Sequence, residues 1–340
     1  MLNIEKNKDL TQFLTIKIGS VAEFFTRLKN LSDIREAIYF ANKKKKEIFI
    51  LGGGSNTLVS KRIKALVLKN EITGIKIVRE SKNEVFIEAL SGELWMKLVN
   101  FTVEKNLYGL ENLASIYGTV GAAPVQNIGA YGAELKDVFY SLRAINLKTG
   151  KEKIFLLKDC HFAYRDSIFK NRLRGKYFIY SVILKLKKNG KLNSGYGFLA
   201  DELKKQKISN PRPKDMANLV NKIRGEKLPN PGILPNAGSF FKNPEISLAQ
   251  FKKLQLKYSD LPRFIASKST KVMVPAAWLI ERVGFKGKKF GDIGMFERQA
   301  LIMVNYKQAS AKDALNLVKK IKMAIKKEFG LDLETEVNII

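Results

Sequence analysis

The chain of 340 residues has a single cysteine, Cys160, and a single histidine, His161. One cysteine excludes an intrachain disulfide and any zinc site built from several thiolates, and it makes a reducing cytoplasm the expected compartment. One histidine argues against Ser-His-Asp and Cys-His chemistry, so acid–base work would fall to Asp, Glu, Ser, Tyr or Lys. No stretch is long and apolar enough to span a bilayer, and the opening MLNIEKNKDLTQF lacks the apolar core of a signal peptide. Acidic residues are scarce, 32 against 61 Lys plus Arg, which leaves a formal net charge of +29. Such a surplus attracts polyanions. The lysines are nevertheless spread along the whole chain, with only short clusters such as Lys43–Lys46. No helix-turn-helix, zinc-finger or aromatic RNA-binding signature accompanies them. Asn and Ile, which share A/T-rich codons with Lys, are also abundant, so base composition accounts for the surface. Neither a specific nucleic-acid partner nor a membrane is expected.

What is present belongs to a globular protein: 45% hydrophobic residues, a mean hydropathy of −0.15, and length for two or three domains or lobes. The most informative segment is Asn112–Ala133, NLASIYGTVGAAPVQNIGAYGA, 22 residues without a charge in a chain that is 27% charged. Glycine and alanine at this density let a bulky group lie against bare main chain. Two readings remain open on the residues alone, a tightly packed turn and a wall for a large planar or phosphorylated ligand. A second signal is the apolar run 47–51, which leads directly into Gly52-Gly53-Gly54-Ser55-Asn56. Strand followed by glycine turn suits a phosphate cradle, although it is neither a Rossmann GxGxxG nor a Walker loop.

Apolar patterning predicts strands over 64–68, 84–90, 142–147 and 178–186, and a helix over 94–106 with Leu94, Leu98 and Phe101 on one face. This alternation indicates an α+β fold. Residues 189–213 read as an irregular insertion around Tyr196, followed by a polar boundary and a linker marked by Pro229, Pro231 and Pro235. NAGSFFKNP (236–244) reads as a low-charge turn. Near the end, Ser310 and Asp313 form a capping box, Leu317, Ile321, Ala324, Ile325 and Phe329 a buried stripe, and Gly330 a stop. The tail LDLETEVNII alternates as a strand.

Single residues are weak guides. Arg165 is one basic residue among many, Ser239 would serve a turn, Glu336 would be a solvated strand carboxylate, and Lys227 has abundant company. Order changes their weight. LGGGSN (51–56), ENLASIYGTVGAAPVQNIGAYG (111–132), FAYRDSIFK (162–170), NAGSFFKNP (236–244), AAWLIE (276–281) and LETEV (333–337) follow one another as in the bacterial UDP-N-acetylenolpyruvoylglucosamine reductase (MurB) family. From about residue 15 onward the chain resembles that family, in its class with a tyrosine loop. The resemblance implies a vanillyl-alcohol-oxidase-type FAD-binding domain of two lobes plus a C-terminal α+β substrate-binding domain. The expected division is 1–70, completed by a strand in 330–340; 71–228 with the Tyr196 loop; and 229–329 for substrate.

The same resemblance implies site residues. Gly52, Gly53, Gly54, Ser55 and Asn56 would hold the pyrophosphate of tightly bound, non-covalent FAD through backbone amides. Gly118, Thr119, Gly121, Ala122, Gln126, Asn127, Ile128 and Gly129 would line the flavin. Tyr117 departs from the proline common there in relatives, which implies a locally different turn. NADPH would reduce FAD, and flavin N5 would deliver hydride to C3 of UDP-N-acetylglucosamine enolpyruvate, yielding UDP-N-acetylmuramate for peptidoglycan. Arg165 and Glu336 would stabilise the resulting enolate-like anion, and Ser239 would protonate C2. For that role the Glu336 carboxyl must hold a proton or donate through a partner, so its pKa should be raised in the folded site. Tyr196 and Lys227 would engage the diphosphate, with Asn243 and Gln299 as further substrate contacts. A cytoplasmic monomer is expected. The alternatives are a related FAD-dependent oxidase with another substrate and a non-catalytic basic binding protein, and flavin content and NADPH dependence separate the three.

Overall fold

The computed structural model describes residues 2–195, 199–206, 208, 210–265 and 271–340. The chain divides into two compact units. The first comprises Met1–Lys8, Val21–Gly53 and Arg62–Glu226, and the second Asp9–Ser20, Gly54–Lys61 and Lys227–Ile340.

The first unit contains two larger sheets, besides the short hairpin of Gly129–Ala130 with Ala133–Glu134. In one, the order is Glu5–Asp9, Val21–Leu28, Ile63–Asn70, Ile48–Leu51, and the last three strands run parallel. Helix Leu31–Lys44 supplies the connection that parallel strands need, opening on an Asn30–Asp33 capping box. Its Ile34, Ala37, Ile38 and Ala41 bury against Leu66, Leu68 and Phe178. The second sheet is antiparallel, in the order Glu152–Leu156, Phe139–Asn146, Tyr177–Lys187, Glu84–Leu90, Ile75–Glu80. Val85, Ile87 and Ala89 share one core with two helices, Trp95–Glu104 and Pro213–Lys227.

In the second unit, antiparallel strands follow the order Asn236–Ser239, Ile302–Asn305, Ile293–Met295, Lys289–Phe290. Helix Ala311–Phe329 buries Leu317, Ile321, Ile325 and Phe329 in the same core as Phe240, Phe241 and Val337. The Ser310–Asp313 capping box is present, and Gly330 closes the helix at φ 70°.

Each strand predicted from apolar runs is found: Glu84–Leu90 has the expected bounds, Ile63–Asn70 and Tyr177–Lys187 run one or two residues further at each end, and Phe139–Asn146 starts three residues earlier and ends one earlier. The helix expected over 94–106 is Trp95–Glu104, and its buried face is Trp95, Leu98, Val99, Thr102 and Val103; Leu94 lies outside it and is 50% exposed. The polar boundary after 213 is instead a 15-residue helix, Pro213–Lys227, whose polar face hid a stripe of Met216, Leu219, Val220 and Ile223. The insertion 189–213 contains another helix, Leu199–Lys205. NAGS is a strand rather than a turn, with the left-handed bend placed at Gly238, φ 69°. The tail keeps its alternating burial, Leu331, Leu333 and Val337 inside and Asp332 and Glu334 outside. Only Asn338–Ile339 joins a ladder, parallel to Thr57–Leu58.

Candidate active site

In the first unit the uncharged segment is pinned at residues 118–121. Trp95 N–H donates to Gly118 O at 3.1 Å, Val120 N–H to Glu93 O at 2.9 Å and Gly121 N–H to Ser91 O at 2.9 Å. A side chain at 121 would meet Ser91 Cβ at 2.5 Å. One at 53 would meet Gly118 Cα at 2.9 Å, and one at 52 the Thr119 hydroxyl at 2.7 Å. The glycine turn and the wall thus approach at a separation only bare main chain permits. Thr119 Oγ1 is buried and has no hydrogen-bond partner among the described residues, a rare condition for a buried polar atom.

Asn127, expected at the flavin, spends its side chain inside the protein. Its amide donates to Glu134 Oε2 and Ala163 O, each at 3.1 Å, and its Oδ1 accepts from Lys136 N–H at 3.0 Å. It braces the Gly129–Glu134 hairpin against the loop that carries Arg165, so it can reach a ligand only through its backbone. Arg165 occupies the tip of a two-residue turn closed by paired hydrogen bonds between Ala163 and Asp166, at 3.1 and 3.2 Å. Its φ of 52° is left-handed, a position that turns ordinarily give to glycine or asparagine. Backbone strain of this kind, about 1–3 kcal/mol, is stored at functional positions. The guanidinium donates from Nη2 to Gly129 O at 2.5 Å, which ties it to the uncharged segment.

Sequence reasoning missed two cations here. Lys69 Nζ donates to Gly52 O at 2.5 Å. Arg224, on helix Pro213–Lys227, donates from Nε to Ser115 O at 3.2 Å. Burial lowers the Arg224 pKa, the hydroxyls of Tyr131 and Tyr117 oppose that shift, and the positive charge of Arg165 reinforces it. Two guanidiniums therefore feel one another beside the wall. Neither Lys69 nor Arg224 stands out among 61 basic residues, and only the fold singles them out.

In the second unit Gly54 has φ 65°, and a side chain there would meet Phe13 O at 2.0 Å. Thr15 joins two predicted motifs, its N–H donating to Gly54 O at 3.2 Å and its hydroxyl to Asn236 O at 2.6 Å. Asn56 Nδ2 donates to Glu336 O at 3.3 Å. Phe241 and Thr335 form an antiparallel bridge, with Glu336 N–H donating to Phe240 O at 2.9 Å and Lys242 N–H to Glu334 O at 2.9 Å. Ser239 and Glu336 are thereby brought onto adjoining segments, both partly exposed, while Arg165 belongs to the first unit. Asn243 accepts at Oδ1 from Ala276 N–H at 2.9 Å, at the start of helix Ala276–Arg282. Gln299 accepts at Oε1 from Leu301 N–H at 3.3 Å. Lys227 is exposed at the end of its helix. Tyr196 lies outside the described residues.

Residues 22–154 match the FAD binding domain family, and residues 230–340 match UDP-N-acetylenolpyruvoylglucosamine reductase, C-terminal domain. The chain is 44% identical over 340 residues, 100% of both chains, to the UDP-N-acetylenolpyruvoylglucosamine reductase of Flavobacterium johnsoniae. It is 40% identical over 338 residues, 99% of each, to the protein of the same name from Pseudomonas syringae pv. tomato. The chain belongs to the UDP-N-acetylenolpyruvoylglucosamine reductase family. In fold it is similar to the crystal structure of UDP-N-acetylenolpyruvylglucosamine reductase (MurB) from Thermus caldophilus, at TM-score 0.67 and 21% identity, covering 100% of this chain and 98% of that one.

Family membership makes the protein an FAD-dependent oxidoreductase of peptidoglycan precursor synthesis, and the expected α+β class with an FAD-binding domain holds. The FAD-binding match falls largely on the first unit and the C-terminal match on the second. The residues present fit the cofactor. The Gly52–Gly53 turn, the close approach of Gly118 and the unsatisfied Thr119 hydroxyl form a surface that a pyrophosphate and a flat ring suit. Among the described residues, no helix is long and apolar enough to cross a membrane.

Proposed function

We propose that this protein reduces UDP-N-acetylglucosamine enolpyruvate to UDP-N-acetylmuramate at the expense of NADPH. The observation that supports this reading most is the adjoining placement of Ser239 and Glu336, in a chain matched end to end by reductases of that name. When bound, FAD supplies a hydride acceptor for NADPH and a hydride donor, at N5, for C3 of the enol ether.

The residues of the chain manage the charge and the proton. Negative charge develops on C2 and the neighbouring carboxylate, where a planar guanidinium offers several donors in a fork that fits a carboxylate. Arg165 is that group, held by Gly129 O on one side. Glu336 assists by hydrogen bonding to the same anion, with its own proton or through a partner. Ser239 gives its hydroxyl proton to C2, a transfer that a weak acid makes only to a strongly basic carbon in a site closed to water. Lys227, Asn243, Gln299 and Tyr196 bind the sugar nucleotide, Tyr196 and Lys227 at the diphosphate. Gly52–Asn56 and the Gly118–Gly129 wall hold FAD, with Asn127 facing it through its backbone alone while its side chain braces the wall.

An anaerobic absorbance titration tests this reading. The flavin should bleach with NADPH and regain its oxidised spectrum on addition of the enolpyruvyl substrate. Recovery by oxygen alone would point to a different flavoenzyme. Ser239→Ala should leave reduction by NADPH nearly intact and slow the second half-reaction by about 10²–10⁴-fold; equal losses in both would remove Ser239 as the proton donor.

A further inference from the structure

The glycine turn leaves the carboxyl end of strand Ile48–Leu51, where parallel sheets commonly bind ligands. In the adjacent strand Ile63–Asn70, Lys69 pairs with Leu51 on one side and with Arg27 of strand Val21–Leu28 on the other. One row of the sheet therefore ends in Arg27, Lys69 and Leu51. Among the described residues, the charges that act on Lys69 are those of Glu71 and Arg27, which form an ion pair of their own at 2.5 Å. Lys69 reaches past Leu51 to the first glycine of the turn, and Nζ donates to Gly52 O at 2.5 Å. The ammonium is half-buried and serves no carboxylate of its own in that bond.

A trans peptide points its C=O and N–H in opposite directions. A cation fastened to Gly52 O thus orients the Gly53 N–H toward the side away from Lys69. It also polarises that peptide, since a charge-assisted bond to the carbonyl makes its N–H a stronger donor. We propose that Lys69 is a positioning residue for the FAD pyrophosphate, holding the Gly52–Gly53 peptide with its N–H presented to the dinucleotide and giving the turn a fixed positive charge. This rests on the reading of Gly52–Gly53 as part of the pyrophosphate cradle. Burial pulls the Lys69 pKa below its ordinary value of 10.5, Glu71 acts against that shift, and Arg27 adds to it. FAD affinity should therefore be full while the ammonium is charged and fall as alkaline pH discharges it.

The test is the FAD dissociation constant of apoprotein, followed by flavin fluorescence between about pH 7 and about pH 10. Lys69→Met should bind FAD about tenfold to a hundredfold more weakly at neutral pH, as expected for loss of a charge-assisted bond. Lys69→Arg keeps a donor and a charge that does not titrate, so it should retain affinity at alkaline pH where the wild type loses it. The idea is overturned if Lys69→Met binds FAD within about twofold of wild type, or if wild type and Lys69→Arg lose affinity in parallel. Should Lys69→Met fail to fold, the wild-type and Lys69→Arg comparison decides alone. Gly53→Ala separates this inference from the cradle reading: if it too leaves FAD affinity unchanged, the cradle assignment falls instead.

Discussion

Replacing Gly53 with alanine probes the separation between the glycine turn and the flavin wall. The added Cβ would lie 2.9 Å from Gly118 Cα and 3.3 Å from Gly118 C. Carbon atoms rest at about 3.5–4.0 Å, so the two main chains must part by roughly 0.6–1 Å. Neither can yield by turning a side chain. Gly118 is held by its bond from Trp95 N–H at 3.1 Å, and the following residues by Val120 N–H to Glu93 O at 2.9 Å. Overpacking of this kind costs about 1–3 kcal/mol; the protein relieves it by parting the turn from the wall, and FAD must reverse that displacement on binding, which at about 1.4 kcal/mol per decade weakens its affinity by at most roughly 5- to 150-fold. FAD should therefore dissociate from Gly53→Ala about tenfold to a hundredfold more readily, measured by fluorescence reconstitution of apoprotein. Gly52→Ala should be milder, because its Cβ meets the Thr119 hydroxyl, the end of a side chain, at 2.7 Å. Gly225→Ala is the control: nothing lies within 4 Å of its Cβ, and alanine inside a helix should add up to about 1 kcal/mol of stability. Wild-type FAD affinity in Gly53→Ala would refute the argument that bare backbone at this crossing is required for the cofactor.

Arg165→Lys exchanges a planar fork for a point charge, and should slow reoxidation of reduced flavin by the enolpyruvyl substrate by about 10²–10³-fold while sparing reduction by NADPH. Stopped-flow traces with both half-reactions unchanged would exclude Arg165 from the chemistry. Burial, with a smaller effect from Asp159, pushes the Cys160 thiol up to about 12, so the folded protein should resist alkylation at mildly alkaline pH and react once denatured. Rapid labelling of the native state would contradict that burial. For Glu88, burial raises the carboxyl pKa, but hydrogen bonds from Ser181 and Lys76 and the charges of Lys76 and Arg143 outweigh it, so the pKa lies below its ordinary 4.5. A depressed carboxylate adds stability above its unfolded pKa that is lost as pH falls through the folded value. Glu88→Gln should therefore flatten the loss of thermal stability on acidification below about pH 4.5, and an unaltered acid limb would show that Glu88 does not carry it.

Much of the secondary structure was legible because it is local. The capping box Ser310–Asp313, the stripe from Leu317 to Phe329 and the stop at Gly330 lie within 21 residues of one another and need no distant partner. Helix Pro213–Lys227 escaped because eight of its 15 residues are Lys, Arg, Asp, Glu or Asn, and only the core packed against Met216, Val220 and Ile223 makes its buried side evident. The tail misled for the opposite reason. Its alternation is real in burial, yet a ladder needs a partner strand, and only Asn338–Ile339 has one, at Thr57–Leu58.

The sequence alone determined the family, since ordered motifs are properties of the string itself, and the resemblance those motifs carry implied the cofactor and the candidate residues. The tertiary structure decided how those residues are used. It spent the Asn127 side chain on Glu134, Ala163 and Lys136, set the Glu336 segment beside Ser239 through the Phe241–Thr335 bridge, and selected Lys69 and Arg224 from 61 basic residues. A hydrogen bond is satisfied by proximity in space, and residues distant in the chain acquire that proximity only when the sheets and cores close around them.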